Sequence, residues 1–445
     1  MAGSKLNILI CGMTSESSNI FIMLYKYLKS YGNEVSFFSP EYSGVVCLIE
    51  QKISFIRVSN VESENYLNPD EENLLQICLQ YDLKKNEFDS SFIKGIKRKQ
   101  ILSEGHKLFS ACKNYFKKNL IDLVIVWGGI KYHTSIPSAV ATKNNIPCIF
   151  IEKGLYPFTL QVDSQGVNGF GKLKEKFRNT DYSEKLNSLD FYQSLLNERW
   201  YFSQPINSIR KKTKLKYLMS EFRFNELLVK LFHKYFETRL LKKFIYKETW
   251  DVTNPIVNSE KVEESDYIFI PFQVADDSQL LVQANWIKDN ISLVNSVLKS
   301  LSDLSIDRNI IVKEHPREYR NINYQEIFKD YNIKFSKAGT IDLISRCKLV
   351  VTINSTIGFE ALVFCKPVII TGDALYESIP FITKATNESE LTSNLKKNLL
   401  SDIKFDCGEI NRYAAKVYNN LVKCNYVSPS EMEINRLWQR ILELR

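Results

Sequence analysis

The chain has 445 residues, which is too long for one ordinary hydrophobic core and fits two domains. A net charge of +8 points toward anionic partners. No apolar run reaches 18 residues, which excludes a transmembrane span, and nine cysteines without Cys-x-x-Cys argue against a zinc or redox motif.

Residues Met1 to Asn7 lead directly into a strand, so no signal peptide is expected. Asn7-Ile-Leu-Ile-Cys-Gly12 reads as an opening strand and turn, Ile20 to Tyr31 as a helix, and Glu34 to Phe38 as a second strand. The turn at Gly12 lacks a full Gly-x-Gly-x-x-Gly, so no dinucleotide cofactor is indicated. Strands follow at Asp122 to Trp127 and Pro147 to Ile151, with a helix from Ile136 to Asn144 between them. The second strand of this pair ends in Glu152, Gly154 breaks it, and a polar loop runs from Asp163 to Asn168. Alternating strands and helices predict parallel sheets.

A helical stretch of different character is expected over 171–255. Between Ile209 and Lys247 it holds twelve Lys or Arg against three Glu, interleaved with Leu, Phe and Tyr. That pattern suits either a solvated helical face or an anionic membrane surface, and we favour the membrane over nucleic acid because no nucleic-acid motif is present.

The pattern of strand and helix then resumes. A buried-type strand near 267–272 ends in Gln273, Asp276, Asp277, Ser278 and Gln279. Paired carboxylates there are read either as a helix N-cap or as catalytic groups. The strand 309–313 ends in Lys313, His315, Pro316 and Arg317, a group suited to a phosphate. Of the four histidines, His315 is the candidate; His106, His133 and His233 read as structural or surface residues. The strand 349–353 runs into Asn354, Ser355 and Thr356, where a helix start offers N–H groups to an anion. A further strand, Val368 to Thr371, and a closing amphipathic helix from Ser428 complete the chain.

These segments, in this order, resemble the bacterial capsule polysaccharide biosynthesis family of β-Kdo glycosyltransferases. The resemblance is nearest to those that start the Kdo linker on a (lyso)phosphatidylglycerol lipid. It rests on Glu152-x-Gly154-Leu-x-Pro157, Gly166-Val-Asn168, Gln273-Val-x-x-Asp277-Ser-Gln279 and His315-Pro316. Val350-Val-Thr-Ile-Asn-Ser-Thr356, Lys366-Pro-Val368 and Gly372-x-Ala-Leu-Tyr376 complete it. The loop Val162 to Gln165 and the pair Phe359-Glu360 depart from the family pattern, so Glu360 is given no role.

The resemblance implies an α/β fold of GT-B type, with two Rossmann-like domains across a cleft. The boundaries expected are 1–170 for the acceptor domain, 171–255 for the basic insertion, 256–425 for the donor domain and 426–445 for the closing helix. It implies a retaining, metal-independent transferase that uses CMP-Kdo and needs no cofactor. Asp277 would be the nucleophile and Glu152 the general acid/base. Gln273, Ser278, Gln279, Lys313, His315, Pro316, Asn354, Ser355 and Thr356 would hold the donor, and Gly154 and Asn168 the acceptor side. Implied partners are the CMP-sugar, an anionic lipid acceptor at the inner face of the cytoplasmic membrane, and capsule export proteins, with no nucleic acid. Alternatives are a CMP-sugar transferase acting on a glycan terminus, a UDP-sugar enzyme of the same fold, or a non-catalytic assembly scaffold.

Overall fold

The computed structural model describes residues 5–39, 41–62, 66–88, 91–179, 186–198, 265–316, 318, 322–401 and 405–445. The basic stretch 209–247 and Arg317 lie outside the described residues.

In the first half the elements are β1 (Asn7–Cys11), α1 (Ser18–Ser30), β2 (Glu34–Phe38), α2 (Tyr42–Glu50) and β3 (Phe55–Ile56). They continue as α3 (Pro69–Asn86), α4 (Ser91–Lys118), β4 (Leu123–Trp127), α5 (Tyr132–Lys143), β5 (Cys148–Lys153), β6 (Thr159–Asp163) and α6 (Leu189–Glu198). In the second half come β7 (Ile268–Pro271), α7 (Ser278–Gln283), α8 (Asn290–Asp303), β8 (Ile310–Lys313), α9 (Tyr324–Ile327), β9 (Ile333–Phe335) and α10 (Thr340–Arg346). Then follow β10 (Leu349–Thr352), α11 (Thr356–Val363), β11 (Val368–Ile370), β12 (Ile382–Lys384), α12 (Glu388–Leu400), α13 (Cys407–Asn420), β13 (Val422–Lys423) and α14 (Glu431–Leu444).

Two sheets form. The first has the order β13-β6-β5-β4-β1-β2-β3, parallel from β3 to β5 and antiparallel at β6 and β13. The second has the order β12-β11-β10-β7-β8-β9 and is parallel throughout. Numbered within its own domain, the second sheet runs 3-2-1-4-5-6 from β9 to β12, the Rossmann order. The first sheet has the same 3-2-1-4-5 core. Strands β4, β7 and β10 are buried at every position, as covered parallel strands must be. The architecture is therefore the two-Rossmann-domain GT-B type expected from the sequence.

The chain returns to the first domain at its end. β13 pairs with β6, and Ile434, Leu437, Trp438 and Ile441 of α14 enter the core that holds Ile8, Leu24 and Val35. The crossing thus precedes the expected boundary at 425. The start of the expected insertion also behaves differently from a separate module. Leu173, Phe177, Tyr192 and Leu196 share one core with Phe359, Tyr413 and Val417 of the second domain. Tyr156 belongs to that core too, edge-on to Phe359 at 5.3 Å and donating to the Ala414 carbonyl at 3.2 Å. Much of the Gly154-Leu-Tyr156 motif is therefore interdomain packing.

Candidate active site at the facing strand ends

In a Rossmann sheet, ligands sit beyond the carboxyl ends of the strands, at the point where strand order reverses. In the second domain that point lies between β7 and β10. Gln273 and Asn354 follow these two strands and bond to each other. Gln273 Nε2 donates to Asn354 Oδ1 at 2.9 Å, and the Asn354 backbone N–H donates to Gln273 Oε1 at 3.2 Å. Asn354 Nδ2 also donates to the Gln279 carbonyl at 3.0 Å. Both side chains are buried. Their amides thus fasten the switch point and hold the 273–279 segment in place, whereas the sequence suggested donor contacts.

That segment carries the acidic pair. Asp277 is the N-cap of α7, its Oδ1 accepting from the Gln279 N–H at 2.9 Å. Burial pushes its carboxyl above the ordinary range; the Gln279 N–H lowers it, neighbouring Asp276 raises it, and Lys85 and the Ser278 hydroxyl lower it. Asp276 is turned to the other domain, where it pairs with Lys85 Nζ of α3 at 2.9 Å. Ser278 and Gln279 open α7 and are half-buried.

Glu152 ends β5 in the first domain. Its Oε1 accepts from the Lys153 N–H at 2.9 Å. Burial is the main force raising its pKa to about 7; the Lys153 N–H opposes this, Glu16 adds to it, Lys153 opposes it, and the Asp277 carboxylate adds to it. The Asp277 contribution is the smallest of these. Glu152 and Asp277 are carboxylates from different domains, each shifted upward chiefly by burial.

Space for Glu152 comes from a residue that the sequence reading did not single out. Gly128 follows β4 with φ +72°, and a Cβ there would stand 3.2 Å from Glu152 Oε2. Its neighbour Gly129, at φ +83°, lies against the Phe150 ring. A Gly-Gly pair after a buried strand was the available signal. Gly128→Ala would place a side chain in the left-handed region, at a cost of about 1–2 kcal/mol, and crowd the carboxylate. We expect a modest loss of thermal stability and a larger loss of kcat, read by melting and steady-state rates on the same preparation.

The remaining donor-side candidates lie at strand ends of the second domain. Ser355 is the N-cap of α11, and the Ile357 and Gly358 N–H groups both bond to it, which fills part of the expected anion site. The Tyr376 hydroxyl donates to the Ser355 carbonyl, packed under Gly358 where a Cβ would meet it. Thr356 opens the helix and is half-buried. Lys313 ends β8 and donates to the Ala338 carbonyl. His315 is half-buried and Pro316 exposed. The loop of His315 is tied to the acidic segment through Glu318, whose N–H donates to the His315 carbonyl at 2.9 Å. Its Oε2 accepts from the Ala275 N–H at 3.0 Å. His133 is pushed down to about 4, chiefly by burial, and stacks at 4.0 Å on Tyr132.

The two acceptor-side candidates have structural duties. Gly154 closes the β5–β6 turn, donating to the Thr159 carbonyl at 2.8 Å, and a Cβ there would collide with Thr159 Oγ1. Asn168, at φ +54°, exchanges two bonds of 2.8 Å with the Gln161 side chain. The next residue touches the second domain: the Gly169 N–H donates to Gln283 Oε1 at 3.3 Å, and Gln283 Nε2 reaches the Val167 carbonyl at 3.4 Å. Beside it, Lys174 pairs with Glu377 at 2.6 Å, and Lys384 pairs with Glu377 at 2.7 Å and with Asp373. Neither Gln283 nor this charge network was legible in the sequence: Asp373 stands at the variable position of Gly372-x-Ala-Leu-Tyr376, and the other members lie outside any recognisable motif.

Among the described residues no group of three or more His, Cys, Asp or Glu is placed to hold a metal ion, and no helix is long and apolar enough to cross a membrane. All nine cysteines are unbridged.

Comparison with known proteins agrees with the resemblance at family level. The chain is 24% identical over 362 residues to protein FixF of Sinorhizobium fredii, covering 76% of this chain and 75% of the relative. It is 23% identical over 304 residues to the capsule polysaccharide modification protein LipB of Neisseria meningitidis, covering 62% and 70% respectively. A solved structure, the beta Kdo 2,7 transferase KpsC of Thermosulfurimonas dismutans, matches at 18% identity and TM-score 0.34, covering 68% of this chain and 79% of that one. That superposition is too loose to support any inference about activity. Residues 122–405, well over half of the chain, match the family described as capsule polysaccharide biosynthesis protein, and the chain belongs to that family.

Proposed function

We propose that this protein is a retaining β-Kdo transferase that moves Kdo from CMP-Kdo to a phosphatidylglycerol-type lipid in capsule linker synthesis. The observation that carries the reading is the pair Glu152 and Asp277, two upward-shifted carboxylates from facing strand ends. In the first step an Asp277 oxygen attacks the anomeric carbon and CMP leaves with the bonding electrons on its phosphate. In the second, Glu152 takes the proton of the acceptor hydroxyl, whose oxygen displaces Asp277 and restores the β configuration. The phosphate's developing charge falls to the Thr356 end of α11 and to His315, with Lys313 as a neighbouring cation. No cofactor takes part in this chemistry. The place of action is the inner face of the cytoplasmic membrane, beside capsule export proteins.

The activity is tested by intact mass after incubation with CMP-Kdo and a short-chain phosphatidylglycerol. A lipid heavier by one Kdo supports the reading. CMP release without a lipid product moves the acceptor to a glycan terminus. Donor identity has its own test. CMP at 100 times its Kd should add about 2.7 kcal/mol of apparent stability, and UDP far less. A larger thermal shift with UDP would overturn the donor assignment.

A further inference from the structure

One described helix is strongly basic. Across Ser91–Lys118, α4 carries eight Lys or Arg and a single Glu. Its inner face packs Leu108, Phe109, Ala111 and Cys112 into the first-domain core. Gly105 presses on Leu79 of α3, which leaves the opposite face outward. Cations are densest at Lys94, Lys97, Arg98 and Lys99. Glu87 pairs with Lys94 and lies 4.0 Å from Arg98. Two large apolar side chains stand among them: Phe88 at the α3–α4 corner is 50% exposed and Ile96 is 42% exposed.

This corner is on the cleft side. The neighbouring end of α3 supplies Asp82, which accepts from the Tyr132 N–H at the start of α5. It also supplies Lys84, whose Nζ reaches the Leu281 carbonyl at 2.8 Å, and Lys85, which pairs with Asp276 next to Asp277. A basic surface with protruding apolar side chains therefore adjoins the candidate reaction centre.

We propose that the α3–α4 corner and the first turns of α4 form a docking surface for an anionic lipid bilayer, which brings headgroups to the mouth of the cleft. Basic side chains meet the anionic headgroups, and Phe88 and Ile96 enter the interface between headgroups and acyl chains. A nucleic acid would use the cations but gain nothing from an exposed isoleucine. The link to catalysis rests on the lipid-acceptor reading above; the docking itself does not.

The test is flotation of the full chain with vesicles of phosphatidylcholine alone and of equal phosphatidylcholine and phosphatidylglycerol. The parent should bind only the anionic vesicles and release as salt rises from about 0.05 to 0.5 M. Lys97→Glu/Arg98→Glu/Lys99→Glu should weaken that binding by about a hundredfold or more, at roughly fivefold per cation lost. Phe88→Ala/Ile96→Ala should weaken it less and leave the salt dependence in place. All variants should melt like the parent. Charge-reversed protein that floats as well as the parent overturns the proposal, as does a parent that binds neither vesicle. Displacement of the parent from vesicles by a short oligonucleotide, with no effect of Phe88→Ala/Ile96→Ala, also overturns it. CMP release on a water-soluble acceptor is measured beside flotation. Binding without turnover sinks the transferase reading and leaves the docking surface standing.

Discussion

Asp277→Asn is expected to abolish transfer, by on the order of 10⁴-fold or more in kcat, with the fold intact. The substitution is informative because Asp277 has two separable duties. As the N-cap of α7 it accepts from Gln279 N–H. Asparagine caps a helix as well as aspartate, so that duty survives; alanine would lose it, at a cost of about 1 kcal/mol. The second duty, donating an electron pair to the anomeric carbon, is lost with the charge. Both variants should therefore be inactive, and only Asp277→Ala should melt early. The parent chain incubated with donor alone should gain the mass of one Kdo residue, and Asp277→Asn should not. An Asn variant that still turns over would show Asp277 to be a cap and nothing more. Asp276→Asn is the matched control, since it removes the ion pair with Lys85 and leaves the Asp277 carboxyl and its cap bond in place.

The contrast between cap and nucleophile also shows how far the sequence could be read. Strands were legible because a covered parallel strand demands an unbroken β-branched run, as in Leu349 to Ile353. Glu152 was legible because it stands at the end of such a run, and Asp277 because it lies in the polar segment that comes after one. What those polar groups do was less legible. Gln273 and Asn354 have the composition of a ligand site, yet they satisfy each other. A strand-end amide looks the same in sequence whether its partner is a substrate or a neighbour 81 residues away. Lys85, Gln283 and the Lys174–Glu377–Lys384 network were invisible for a related reason. They sit on elements whose local pattern is ordinary, and Lys85, Gln283 and Lys174 meet their partners only once segments far apart in the sequence come together. The short strands β9, β12 and β13 were missed because two or three residues carry no periodicity.

Glu152→Gln should make the protein more stable and less active, with both effects governed by pH. Its folded pKa of about 7 lies above an unfolded value of about 4.3. Between those values the folded chain holds a proton that the unfolded chain has released. Stability therefore falls as pH rises through this window and is constant above it. The half-buried carboxylate keeps some water contact, so the loss is about 2–3 kcal/mol. Glutamine removes this penalty while its Oε1 still accepts from the Lys153 N–H. The variant should thus melt several degrees above the parent at pH 8 and together with it near pH 4. Activity should move the other way. A base that takes the acceptor proton must be ionised, so parental turnover should rise with pH through about 7. The variant should lose that limb and about 10²–10⁴-fold in rate. Because CMP departure needs no proton from Glu152, the variant should still release about one equivalent of CMP and then stall with the sugar on Asp277. A variant with the parent's pH profile, or one that melts below the parent at pH 8, would assign the base elsewhere. The combination of extra stability and a stalled intermediate is what a carboxylate buried for function, against the interest of the fold, should give.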